Sequence, residues 1–225
     1  MKWICRTAAV IMAMVGSGIA SAVPYGAPPG YPPPVPGPAM SAPGYYGPGP
    51  ARALPPGSRG ATPVARLERG LEQLRNFLAG GSPNAVALEK FLEQNLARFF
   101  DFETMARWVA GPLYRQMNAQ QKNHFQTRLQ NLFFEALARQ LGIYSRGLPR
   151  VVFDRPRRTG EREVVVRARV YPRNGYPVRL AFRFHYGRKG WRIYDVASNG
   201  QSAVSYYRGY FNRLVRQRGL AALSR

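Results

Sequence analysis

The spacing of apolar residues along the chain changes once, near residue 150. Before that point apolar residues recur every three or four positions, which is the period of an amphipathic helix. The first such stripe consists of Val64, Leu67, Leu71, Leu74 and Leu78. Thr62 and Pro63 supply start signals for this helix, since threonine caps helix N-termini and proline suits the first turn. Gly80-Gly81 would end it.

Three further helices are predicted before residue 150. Ser82-Pro83 repeats the start signal of the first helix, and Asp101 can cap a third, short one. Asn118 and Gln121 match a capping box, in which each side chain binds the other residue's backbone. The long helix that this box opens carries a wide, partly aromatic stripe. Its members are Phe125, Leu129, Leu132, Phe133, Ala136, Leu137, Leu141 and Tyr144.

Beyond residue 150 apolar and polar residues alternate, which is the pattern of half-buried antiparallel strands. The predicted strands cover residues 151–153, 164–171, 178–186 and 191–195. A turn at Arg188-Lys189-Gly190 would join the last two, and alternation would place Asp195 on the same face as Trp191. A final helix is predicted over residues 202–218. N-terminal helices, a twisted antiparallel sheet of about four strands and a C-terminal helix make an α+β fold.

The first 61 residues have a different composition. A short basic segment precedes an uncharged apolar run, and Ala20-Ser21-Ala22 fits the cleavage pattern of a secretory signal peptide. We therefore predict a signal peptide over residues 1–22. Residues 23–61 are rich in Pro, Gly, Ala and Tyr, which is typical of a disordered or polyproline-like tail. A single folded domain is predicted over residues 62–225.

The chain is strongly basic, with 33 Lys and Arg residues against 11 Asp and Glu residues and a formal net charge of +22. Such a charge favours anionic partners, such as phosphate groups, acidic proteins or nucleic acid. The export signal argues against nucleic acid. The single cysteine, Cys5, lies in the predicted signal peptide, so the mature chain would have no disulfide and no thiol nucleophile.

Five arginines are predicted on the solvent face of the sheet, because they occupy alternate positions along the strands. They are Arg167, Arg169, Arg179, Arg183 and Arg192. They would form either a docking surface for something anionic or a solvated face that protects a sheet edge from aggregation. The sequence leaves both interpretations open.

Few residues are suited to catalysis. Neither His124 nor His185 has an acidic residue three or four positions later, and the chain has no metalloprotease, phosphate-loop or serine-hydrolase motif. Asp195 is the exception, because it lies within an apolar strand. It is either a buried acid or base, or a carboxylate held by an arginine or by backbone amides where the strand ends. We expect the structural role, and hence no enzyme, no metal and no cofactor.

Two stretches of the sequence resemble the MlaC family, also called the toluene-tolerance family. The first contains an Asp-Phe pair, a V-x-G tripeptide and a Q-x-x-x-F helix. Its matching residues are Asp101, Phe102, Met105, Arg107, Val109, Gly111, Tyr114, Gln121 and Phe125. The second contains a W-R-I-Y-D-V strand at residues 191–196, a G-x-S turn at 200–202 and a Y-R-x-x-F helix at 207–211.

This resemblance implies a periplasmic lipid carrier with a fold of cystatin-like or NTF2-like general shape. Its cargo would be a phospholipid, or a hopanoid, with the acyl chains between the sheet and the helices. Its partners would be an inner-membrane complex, containing an MCE-domain protein and an ATPase, and an outer-membrane lipoprotein complex. We expect a monomer that carries lipid as cargo, uses no cofactor and binds no nucleic acid.

The resemblance also gives the inward-facing apolar residues a role as the wall of a lipid pocket. The predicted lipid-binding residues are Trp108, Phe125, Leu129, Phe133, Leu137, Val166, Val178, Leu180, Phe182, Phe184, Trp191, Ile193, Tyr207 and Phe211. Periodicity alone describes a filled core equally well. Two other functions stay open: a small cone-fold enzyme of the isomerase or dehydratase type, using Asp195 with Tyr194 or Tyr207, and a basic polyanion-binding envelope protein.

Overall fold

The computed structural model describes residues 62–81, 83–142, 148–172 and 175–219. The predicted signal peptide and tail lie outside the described residues. The helices are α1 (Pro63–Ala79), α2 (Ala85–Phe91), α3 (Phe102–Ala110), α4 (Leu113–Gln116), α5 (Ala119–Leu141) and α6 (Ala203–Arg218). The strands are β1 (Arg150–Phe153), β2 (Arg157–Gly160), β3 (Glu163–Tyr171), β4 (Val178–Gly187), β5 (Gly190–Ser198) and β6 (Gln201–Ser202).

The helix starts follow the capping signals of the sequence. The side chains of Thr62, Asp101 and Asn118 each accept a hydrogen bond from a backbone N–H in the first turn of their helix. Gln121 completes the capping box, because its side chain accepts a hydrogen bond from the Asn118 N–H at 2.9 Å. These three predicted starts are confirmed.

The start of α2 differs from the prediction. The helix begins at Ala85, and its cap is Asn84, whose side-chain oxygen accepts a hydrogen bond from the Ala87 N–H at 2.8 Å. The predicted start at Ser82-Pro83 was therefore too early, because asparagine is itself among the preferred N-cap residues. After α2 the chain continues through a π-helical turn (Leu92–Leu96) and a 3-10 turn (Ala97–Phe99).

The sheet has the order β1-β3-β4-β5-β6, and β2 also pairs with β3. All of these pairings are antiparallel. The fold class is α+β, as predicted, but the described residues form six strands rather than about four. The two additional strands, β2 and β6, have four and two residues and carry no apolar alternation that could reveal them.

One face of the sheet is covered by helices. Helices α1, α3 and α6 have their closest strand neighbours in β3 and β5, whereas α5 packs mainly on α2 and α3. The core includes Val164, Phe184 and Ile193 from the sheet, together with aromatic residues from the helical segments. Among the described residues, no helix is long and apolar enough to cross a membrane.

A β-bulge in β5 changes which residues face the helices. Arg183 pairs with Asp195, but the next residue of β4, Phe184, pairs with Ile193, so Tyr194 is the extra residue. The strict alternation predicted for this strand is therefore wrong beyond Ile193. Asp195 lies on the face opposite Trp191 and Ile193, and Val196 takes the core-facing position instead.

Candidate functional site

The core-facing side of the sheet is tightly packed at one end. Val164, Phe184 and Ile193 lie side by side across β3, β4 and β5, and their side chains are at most 4% exposed. Phe100 forms a backbone bridge to Ile193, and its ring lies 5.1 Å from the ring of Phe133. Phe100 therefore extends the sheet beside Ile193, and its ring packs among the aromatic residues of the helical layer at this end of the sheet.

The neighbouring positions on the same face are less completely covered. Val166, Phe182 and Val196 form the next row across the sheet, and of these only Val166 is fully buried. In the row after that, Leu180 is partly exposed beside Ala168. Apolar side chains that are half-buried on the core side of a sheet indicate incomplete packing against the helices.

The long helix α5 contributes the facing apolar residues. Leu137 and Leu141 in its last turns are partly buried, as are Leu148 and Phe153 after it. No strand is among the main packing partners of α5, in contrast to α1, α3 and α6. We call the half-buried apolar residues of the two layers the half-buried strip: Leu137, Leu141, Leu148, Phe153, Leu180, Phe182 and Val196. All of them except Leu180 pack against the same core, although the backbones of α5 and of the strands make few close contacts.

One polar group lies on the core-facing side beside this strip. Ser198 pairs with Leu180 across β4 and β5 and is only 3% exposed. Its hydroxyl has no hydrogen-bond partner among the described residues. A buried hydroxyl without a partner is destabilising by about 1–3 kcal/mol, so this position suits an oxygen-containing ligand better than an apolar core.

The family model for the MlaC protein matches residues 69–225. The chain belongs to the MlaC family. Among solved structures it is similar to a phospholipid-binding protein from Ralstonia solanacearum, which was solved in complex with a phospholipid. The two share 22% sequence identity with a TM-score of 0.65, over 73% of this chain and 93% of that chain. At this identity the likeness shows the fold alone. No curated protein matches the chain.

In this MlaC-family fold most of the predicted lipid-binding residues lie inside the domain. Those that are buried are Phe125, Leu129, Phe133, Val166, Val178, Phe184, Trp191, Ile193, Tyr207 and Phe211. Those that are half-buried are Leu137, Leu180 and Phe182. Trp108 is 49% exposed on α3, and its backbone carbonyl accepts hydrogen bonds from the Arg208 guanidinium.

The buried residues fall into two groups. Phe125 of α5 contacts Phe211 of α6, with ring centroids 4.8 Å apart, and the Tyr207 hydroxyl donates a hydrogen bond to the Leu132 carbonyl at 3.1 Å. These contacts join α5 to α6 through closely packed side chains. The residues on the sheet form the second group, which extends into the half-buried strip.

The strip also contains residues that the sequence did not single out. Val196 was missed because the bulge at Tyr194 shifts the alternation, and no local signal announces a bulge here. Phe153 was assigned to a strand, and its pairing with Ala168 brings it to the same row as Leu180. Ser198 was missed because it follows the predicted end of its strand.

Asp195 is held by three neighbours and is completely buried. Its Oδ1 accepts a hydrogen bond from the Val204 N–H at 3.1 Å, and its Oδ2 accepts one from the Ser202 hydroxyl at 2.7 Å. Oδ2 also lies 3.3 Å from the guanidinium of Arg183. This arrangement fixes the first turn of α6 to the sheet, which is the structural role expected for a carboxylate at the end of a strand.

The tyrosines considered as partners of Asp195 are not poised for proton transfer at neutral pH. Burial raises the pKa of Tyr194 to about 12. Burial also raises the pKa of Tyr207, whose hydroxyl is already engaged with a backbone carbonyl. Within the described residues, no group of three or more His, Cys, Asp and Glu residues could hold a metal ion.

A second, open groove lies between α2 and α5. Its lining residues are Glu89, His124, Thr127, Arg128, Asn131, Leu132 and Glu135. Burial and the neighbouring carboxylate of Glu135 raise the pKa of Glu89. Six of the seven lining residues are polar or charged, so this groove does not suit acyl chains.

Proposed function

We propose that this protein is a periplasmic lipid carrier that binds the acyl chains of a phospholipid between the sheet and the helices. The main observation is the contrast along one strand of the core face. Phe184 is fully buried, whereas Phe182, two residues earlier on the same face, is half-buried together with Val196 and Leu180. The family and the phospholipid-bound protein of similar fold support this assignment.

The physical requirement for such a carrier is a replacement for the apolar environment of the membrane. Each methylene that leaves water contributes about 0.8 kcal/mol, so a phospholipid with ~30 methylenes resists entering water by roughly 20 kcal/mol or more. The half-buried strip supplies apolar side chains from both layers. The Ser198 hydroxyl would offer a hydrogen bond to an ester or headgroup oxygen of the cargo.

The route of the cargo follows from the predicted export signal and from the family. The carrier would move lipid between an inner-membrane complex and an outer-membrane complex, without catalysing a reaction. The contacts of Asp195 argue against a role as a catalytic acid or base, because both of its carboxylate oxygens already accept hydrogen bonds. Hopanoids share the apolar character that the strip would recognise, so they are a second class of cargo to test.

The proposal is tested by placing a charge at two positions of β4 that differ only in packing. Phe182→Glu should leave the protein folded but remove bound lipid, because a cavity wall tolerates a charged group that water can reach. Phe184→Glu should unfold the domain, because the same charge would be buried without a partner. Ala181→Glu is the control, since its side chain lies on the opposite face beside the arginines.

Lipid content is measured by extraction and mass spectrometry of the purified protein, and folding by thermal melting. If Phe182→Glu unfolds the protein as Phe184→Glu does, the strip is a filled core and the proposed site is wrong. The site is also wrong if the folded Phe182→Glu protein keeps its lipid. Loss of lipid in Ala181→Glu would show that charge alone disturbs the cargo.

A further inference from the structure

The face of the sheet opposite the apolar core carries a cluster of exposed arginines. Arg167 and Arg169 of β3 and Arg179 and Arg183 of β4 all point to this side. We call these four residues the arginine face. Arg192 of β5 points to the same side but is half-buried.

The arginine face does not protect a sheet edge. In the order β1-β3-β4-β5-β6, strands β3 and β4 are interior strands that pair on both sides. Charged residues prevent edge-to-edge aggregation only where a strand has an unpaired side. The alternative that the sequence left open, protection of an edge, therefore does not apply to these positions.

The charges of the arginine face are only partly compensated. Asp154 lies 3.1 Å from Arg169, and the buried Asp195 lies 3.3 Å from Arg183. Arg167 and Arg179 have no carboxylate within 4 Å among the described residues. Arg179 also lies directly opposite Arg169 in the β3–β4 pairing.

Like charges opposite each other in an antiparallel pair are destabilising. An arrangement that lowers stability without serving the core is typical of a surface with a binding role. Guanidinium groups bind phosphate oxygens through paired N–H donors. The partner is therefore expected to be a phosphate-bearing or otherwise anionic surface.

The side chains around the arginines distinguish between two kinds of anionic partner, a protein and a lipid surface. The side chains between the arginines, Ala181 and Val165, are small or short. Tyr171, the aromatic residue of β3 on this face, is half-buried beneath the guanidinium of Arg150. Protein interfaces usually depend on large apolar or aromatic anchors. The large apolar residues that are exposed in the described part of the chain are Val86, Trp108 and Tyr176, and none of them lies on β3 or β4. Tyr176 lies between β3 and β4 and is 92% exposed, and tyrosine is favoured at the headgroup level of membranes.

We propose that the arginine face docks the protein onto the surface of a bilayer that contains anionic phospholipid. Tyr176, next to the face, would lie among the headgroups. This step goes beyond the proposed cargo site, because it uses the opposite side of the sheet. Docking and cargo can therefore be measured independently of each other.

The test is co-sedimentation of the protein with vesicles of phosphatidylcholine, with and without phosphatidylglycerol. A basic residue near an anionic membrane surface contributes about 1 kcal/mol, so Arg167→Gln with Arg179→Gln should weaken binding about 30-fold. The control is Arg69→Gln with Arg75→Gln, which removes the same charge from exposed positions on α1. The control should bind nearly as well as the wild type.

Equal weakening by both double variants would overturn the proposal, because net charge alone would then explain binding. Failure of the wild type to bind phosphatidylglycerol vesicles at low salt would also overturn it and would redirect the search to an acidic protein. Lipid extraction from the same preparations reports on the cargo site. Retained cargo in a variant that no longer binds vesicles is the result expected if both proposals hold.

Discussion

Replacing Asp195 with alanine should destabilise the domain strongly. The carboxylate joins the Val204 N–H and the Ser202 hydroxyl at the start of α6, and it is completely buried. A hydrogen bond to a charged group contributes about 1.5–3 kcal/mol, and an unsatisfied buried N–H is costly in itself. The Arg183 side chain is 47% exposed, so its ion pair is screened by solvent and adds little.

These terms give a loss of about 3–5 kcal/mol for Asp195→Ala. For a domain of this size that corresponds to a fall of roughly 10 °C in the melting temperature. Asp195→Asn should cost less, because an amide keeps one acceptor oxygen. Thermal and denaturant unfolding would measure both variants. Asp154→Ala is a suitable control, since Asp154 forms a half-exposed ion pair with Arg169 that is worth less than about 1 kcal/mol.

The reasoning would be refuted if Asp195→Ala melted within about 2 °C of the wild type. A folded Asp195→Asn protein that lost a measurable activity would instead support the enzyme interpretation. The structural role predicts that any Asp195 variant that remains folded also keeps its lipid, because Asp195 lies on the face opposite the half-buried strip.

Two smaller substitutions test individual contacts. Arg179→Glu should raise the free energy of unfolding by about 0.2–1 kcal/mol, because the like-charge pair with Arg169 becomes an ion pair. A lower melting temperature for this variant would show that the Arg179 and Arg169 side chains do not repel each other in the wild type. Tyr207→Phe should lower the free energy of unfolding by about 1 kcal/mol, because the hydrogen bond to the Leu132 carbonyl is lost. An unchanged denaturation midpoint for Tyr207→Phe would contradict a role for this bond in joining α5 to α6.

Local signals in the sequence were sufficient for the longer helices and for the longer strands, although they placed the start of α2 too early and missed the short helix α4. Asp101 and Asn118 cap their helices through side-chain bonds that span only three residues, so the residues that form each bond are visible together. The bulge at Tyr194 was not predictable in this way. Its position depends on how β5 pairs with β4, and that pairing joins residues that are distant along the chain.

The candidate site shows the same limit. Period two places Phe182 and Phe184 on one face, and the structure confirms that face. Whether each side chain is covered depends on the helical layer, because aromatic residues such as Phe100 pack at the end of the sheet that holds Ile193, while the adjacent row stays half-buried. Hydrophobic periodicity contains no information about the distance between the helical layer and the sheet.

The most direct test of the central claim is native mass spectrometry of the protein as purified, followed by extraction of whatever it carries. A lipid carrier predicts a folded protein with a co-purifying mass that fragments as a phospholipid or a hopanoid. It also predicts that delipidated protein recovers this mass after incubation with vesicles of the same lipid. A folded protein that carries no lipid and takes up none from vesicles would contradict the account.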